Sequence, residues 1–153
     1  MNQVNAEATA DGADIAIGMF YINAIPAALL FDSGATHSFM SARFATTNEL
    51  PLQNMKTPMV EITPKGSIEA NYMTQRLTLT IMGRKFWSTP ILLEESSIDL
   101  ILGMSWLRKA KAVIHCAKGT VELTSSKGKR FKVEITITTS TRPAISSRWK
   151  ICG

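Results

Sequence analysis

Between Ala28 and Met40 the chain reads ALLFDSGATHSFM, so four apolar residues lead straight into Asp32 and small residues follow at once. Removing an ionised carboxylate from water is costly unless it is paired, hydrogen-bonded or neutralised, which requires Asp32 to have a partner or a chemical task. Ser33 adds a hydroxyl that can tie the loop in place. Gly34 lets another backbone approach without a Cβ in the way. A loop of this kind can hold a carboxylate rigidly in a pocket with apolar walls.

The chemistry open to such a group is activation of water against an amide carbonyl, followed by protonation of the leaving nitrogen. That needs one ionised carboxylate and one protonated one. Two aspartates about 3 Å apart meet the requirement, because like charges so close cannot both ionise and the pair shares a proton. The chain holds a single Asp-Ser/Thr-Gly, and none of its other acids stands in a similar loop. A two-fold homodimer would supply the second Asp32 across its axis.

The elements that must position this loop are read from periodicity. Ile15, Ile17, Met19 and Tyr21 alternate, a turn over Asn23–Pro26 follows, and the chain returns through Ala27 to Phe31, leaving Asp32 just past a buried strand. Ser38 to Thr47 is expected to form a short helix with Ser38 as N-cap. Met59–Ile62 and Ser67–Tyr72 flank a small polar tip, Thr63-Pro64-Lys65-Gly66, and so predict a hairpin. Leu77–Ile81 and Phe86–Leu93 form another about Met82-Gly83-Arg84. Ile98–Leu102 ends at Gly103, Met104–Ala110 is a short helix, and Ala112–Cys116, Thr120–Thr124 and Arg130–Thr138 are strands. Residues 1–13 read as a flexible leader, 14–138 as one domain and 139–153 as a tail.

Phe31-Asp32-Ser33-Gly34-Ala35-Thr36-His37-Ser38-Phe39, the Pro64-Lys65-Gly66 tip, and Asp99-Leu100-Ile101-Leu102-Gly103-Met104 with Trp106-Leu107 together resemble the retropepsin-like aspartic proteases of Ty3/gypsy retrotransposon polyproteins, especially those of plants. The likeness runs from about Ile15 to Lys132. It implies an all-β, retropepsin-like closed β-barrel or hairpin domain with one or two short helices, half of a two-fold dimer. It further implies an aspartic endopeptidase in which Asp32 is catalytic, Ser33 and Gly34 fix the paired loops, and Ala35 lines the floor. Ile101, Leu102 and Gly103 would pack beneath the site, and Pro64, Lys65 and Gly66 would form a flap over an extended polypeptide bound as an added strand. The chain departs from the family pattern at Ser105, where most such sequences carry aspartate.

Composition narrows the remaining classes. The 153 residues are 45% apolar and 19% charged, enough for one domain that buries about 70% of its unfolded surface. The net charge is +5, and eight of the seventeen Lys and Arg lie between Arg108 and Lys132 with Glu122 the only acid among them. Phe131 is the only aromatic there, so this stretch, 108–132, reads as a solvated basic face and leaves nucleic acid an open but unfavoured partner. Cys116 and Cys152 lie far apart, without metal-ligand spacing, so no metal and no cofactor is expected. The longest apolar run, Ile15–Phe31, is broken by Gly18, Asn23 and Pro26 and makes a poor membrane helix. Without a signal-like segment or an Asn-x-Ser/Thr sequon, the expected setting is intracellular and cytoplasmic. Gly103-Met104-Ser105 lacks the second glycine of a nucleophile elbow, since Leu107 stands there. His37, near Asp32 in sequence, reads as a surface or hydrogen-bonded residue pointing away from the site. Trp87, Trp106 and Trp149 read as packing residues.

Overall fold

The computed structural model describes residues 14–63, 66–94 and 96–139. The expected leader over 1–13, the tip residues Pro64 and Lys65, Trp149, Cys152 and all but the first residue of the expected tail lie outside them. Strand β1 (Asp14–Ile22) turns through Asn23 and Ala24, both at positive φ, into β2 (Ile25–Phe31). Two consecutive left-handed residues give the turn whose twist matches an antiparallel pair. Pro26 lies opposite Tyr21, outside the part of β2 that pairs on its other side, where a missing N–H costs no ladder bond.

After the Asp32 loop come β3 (Phe39–Ser41) and α1 (Ala42–Thr47). The helix therefore starts later than expected, and its cap is Ser41, whose Oγ accepts the Phe44 N–H at 3.2 Å. Ser38 is not the cap. The hairpin of β4 (Leu52–Thr63) and β5 (Gly66–Thr74) is longer than its sequence signal, with a register shift between Asn54 and Met59. Next come β6 (Leu77–Ile81), β7 (Arg84–Ser88), β8 (Ile91–Leu93), β9 (Leu100–Leu102) and α2 (Met104–Lys109). Phe86–Leu93, expected as one strand, is two: β7 pairs β6, while β8 leaves to pair β3 and β5, with Pro90 at the break. Finally, β10 (Val113–His115), β11 (Thr120–Thr124) and β12 (Arg130–Glu134) form a small sheet. The chain then passes Ile135 into β13 (Thr136–Thr139), which pairs β1.

Among the described residues the main sheet has ten strands in the order β4-β5-β8-β3-β9-β2-β1-β6-β7, with β13 also on β1. Its centre is β9, parallel to β2 and antiparallel to β3. All three carry apolar residues on both faces because both faces are covered. Leu29, Phe31, Met40, Leu100 and Leu102 enter a large core that includes β6 and α2, while Leu30, Phe39 and Ile101 enter a second cluster with Ala35, Ala70, Ile91 and Leu93. A buried strand pair of this kind produces a continuous apolar run and no alternation. No helix among the described residues is long and apolar enough to cross a membrane.

Candidate active site

Asp32 is 3% exposed and follows β2 directly. Its N–H donates to the Leu102 carbonyl at 3.0 Å, which continues the β2–β9 pairing one step beyond the strand. The Ala35 N–H donates to the Asp32 carbonyl at 3.2 Å, and Gly34 N–H donates to Asp32 Oδ1 at 2.9 Å. The second bond is the contact that an aspartate makes in an ordinary turn. Here it also orients a buried carboxylate, so turn chemistry and site geometry are the same feature.

The loop is clamped from below by β9 and the start of α2. A Cβ added to Gly103 would lie 2.2 Å from the His37 carbonyl oxygen and 2.7 Å from that of Ala35, so only glycine admits the loop at this distance. Gly103 N–H donates to Ser38 Oγ at 3.1 Å in a buried contact. Met104 N–H reaches the Ala35 carbonyl at 2.7 Å, and Ser105 N–H reaches that of Thr36 at 3.1 Å. The first amides of α2, which have no partner within a helix, therefore satisfy carbonyls of the Asp32 loop. Asp99 anchors the other end of β9: its Oδ2 accepts the Ala28 N–H at 2.8 Å and its carbonyl accepts the Ser41 N–H at 3.0 Å.

The structure thus brings Asp32, Gly34, Ala35, Ile101, Leu102 and Gly103 together. Ala35 is fully buried in the second apolar cluster with Ile101, and Ser33 sits half-buried beside Asp32. Gly66 opens β5 opposite Thr63, at the end of the β4–β5 hairpin. Sequence reasoning missed Ser38 and the anchoring role of Asp99. Their partners are 65 and 71 residues away, and no local spacing announces them. His37 is exposed, its ring edge-on to Phe39. Trp106 packs against Phe31 and Phe86 as a core residue, whereas Trp87 is 42% exposed with the Arg76 guanidinium 4.6 Å above its ring. Among the described residues no three His, Cys, Asp or Glu converge as metal ligands.

Known structures share this arrangement of strands. The chain superposes on the retroviral protease-like domain of Ddi1 from Leishmania major with a TM-score of 0.58 at 18% identity, covering 80% of this chain and 94% of that one. It superposes on EIAV protease, solved with the inhibitor HBY-793, with a TM-score of 0.51 at 20% identity, covering 74% and 99%. At these identities the likeness is one of fold. No curated protein matches the chain in sequence. The family model described as retroviral aspartyl protease matches residues 1–129, a span that holds the Asp32 loop, the β4–β5 hairpin and the Gly103 seat, and the chain belongs to that family.

Proposed function

We propose that the chain is an aspartic endopeptidase of a retrotransposon polyprotein, acting as a homodimer in which the Asp32 carboxylates of two subunits share one proton. The observation that carries this reading is the seating of Asp32: a buried carboxylate oriented by Gly34 in a loop held by Gly103, with no second Asp-Ser/Thr-Gly in the chain. In the reaction the ionised Asp32 takes a proton from water as its oxygen bonds to the scissile carbonyl carbon. The protonated Asp32 gives its proton to the carbonyl oxygen. Proton transfer to the amide nitrogen then accompanies C–N cleavage. The substrate is an extended polypeptide lying between the Ala35 layer and the β4–β5 hairpin, which serves as the flap.

The domain of Ddi1 shows that this fold also occurs outside viral proteases, so the retrotransposon assignment rests on the Asp32 and Gly103 motifs and their spacing. The test is a peptide-library digestion across pH with wild-type protein and Asp32→Asn. The expected result is cleavage by the wild type at mildly acidic pH and at least about a thousandfold less by Asp32→Asn, the scale seen when a member of a catalytic group is removed. Equal cleavage by both proteins rules out Asp32 as the catalytic group. No cleavage by a verified wild-type dimer favours a catalytically inactive dimerisation module, with salt-sensitive RNA binding through 108–132 as its nucleic-acid form.

A further inference from the structure

Beside the Asp32 loop lies a cleft of about 470 Å³ whose walls include His37, Ser38, Arg76, Trp87, Ser105 and Lys109. Its apolar floor is Met55, Met73 and Ile91, which also pack with Ala35 in the second cluster. A second cleft of about 330 Å³ shares Arg76, Trp87, Trp106 and Lys109 with the first and adds Lys85 and the hydroxyls of Thr124, Ser125 and Ser126. With four walls in common, the two make one groove that leads away from the residues just after Asp32. It is lined by Arg76, Lys85, Lys109 and His37 with no Asp or Glu in either part. The described ion pairs are those of Glu122 with His115 and Arg130, neither Glu122 nor Arg130 lining the groove, although Arg130 also donates to Thr124 Oγ1 at 2.8 Å at its far end. Arg76 and Lys109 are exposed, and stacking on Trp87 holds the Arg76 guanidinium in place.

We infer that this groove is a specificity site for acidic residues of the bound polypeptide, lying to one side of the bond that is cut, with Arg76 and Lys109 as its carboxylate-binding groups. The inference rests on the peptide-binding reading above. Three features favour a peptide over other anions. The groove starts at His37 and Ser38, immediately beyond the Asp32 loop. Its near part has a floor of Met and Ile that suits side chains, and both parts carry cations together with hydroxyls, as binding of carboxylates requires. Ser105 is a wall of this groove at the second position of α2. A carboxylate there would compete for the same cations, and serine leaves them available to a ligand.

The experiment measures fluorescence polarisation of labelled apolar peptides ending in Glu-Glu at either terminus, against Gln-Gln counterparts, on the 153-residue Asp32→Asn protein, where cleavage cannot interfere. One Glu-Glu peptide is expected to bind about tenfold tighter than its Gln-Gln counterpart at low salt, with the difference shrinking as salt rises. Lys109→Gln and Arg76→Gln are each expected to reduce that ratio severalfold. Ser105→Asp should do the same while suiting a helix N-terminus, so folding is preserved. Equal binding of Glu-Glu and Gln-Gln peptides overturns the inference, as does a ratio that survives all three variants. A single-stranded oligonucleotide that binds tighter than either peptide and is weakened most by Lys109→Gln also overturns it, assigning the groove to nucleic acid. If the binding ratio holds but wild-type protein cleaves none of these peptides or a wider library, the groove stands and the hydrolytic reading falls.

Discussion

Gly103 and Ser38 set the position of Asp32 as firmly as any residue in its own loop. Gly103→Ala forces a methyl group against the His37 and Ala35 carbonyls, which are fixed backbone and cannot rotate away. The expected cost is about 2 kcal/mol or more, at the upper end for overpacking, read as a lower chemical-denaturation midpoint with loss of any cleavage. Ser38→Ala leaves the buried Gly103 N–H without its acceptor and should cost about 1–3 kcal/mol by the same measurement. Of these residues, Asp32 stood out in the sequence as a carboxylate after an apolar strand, and Gly103 only through its resemblance to the family's apolar-apolar-Gly element. Ser38 was misread as a helix cap for the opposite reason. Serine before an aromatic-bearing segment fits a cap, and only the fold reveals that its Oγ serves an amide far along the chain.

At the scale of elements, alternation and short apolar runs locate most strands, but β3 reads as part of the following helix and the partition of strands between sheets is not visible. Phe86–Leu93 shows one apolar-rich stretch, yet Thr89 and Pro90 divide it and send β8 to the other side of the sheet. Arg130–Thr138 alternates without interruption, yet Ile135 N–H turns to the Gly119 carbonyl at 3.0 Å and the strand splits between two sheets. Periodicity records which face a residue takes and carries no record of its partner strand. The small sheet also has its own electrostatics. Glu122 on β11 accepts from Arg130 at 3.0 Å and lies 3.2 Å from His115. Its carboxyl is held below the ordinary range by the Arg130 hydrogen bonds first, with the charges of Arg130 and His115 adding to this and partial burial opposing it. A folded value below the unfolded one contributes stability that is complete above the unfolded value and is lost as pH falls through the folded one. Glu122→Gln should therefore flatten the acid limb of a thermal-stability profile below about pH 4.5, relative to wild type, with little change in its slope near neutrality. An unchanged acid limb would place the titration elsewhere.

For the whole molecule, the deciding feature is that one chain supplies one Asp32 loop, in a domain whose fold and family are those of retroviral aspartyl proteases. The retropepsin-like fold was legible through the family resemblance of two motifs some seventy residues apart, which the structure brings together where β9 pairs β2 and Gly103 seats the loop. The acid-free groove was not legible, because Arg76, Trp87 and Lys109 come from separate elements and each alone resembles ordinary surface. Sharing of Asp32 between subunits is tested most directly by mixing wild-type and Asp32→Asn protein at fixed total concentration, allowing subunits to exchange, and measuring peptide cleavage. If both carboxylates are needed, activity falls as the square of the wild-type fraction, to about a quarter at an equal mixture. Activity that falls in direct proportion, to about half, would show that a single Asp32 suffices and would contradict the shared-proton mechanism.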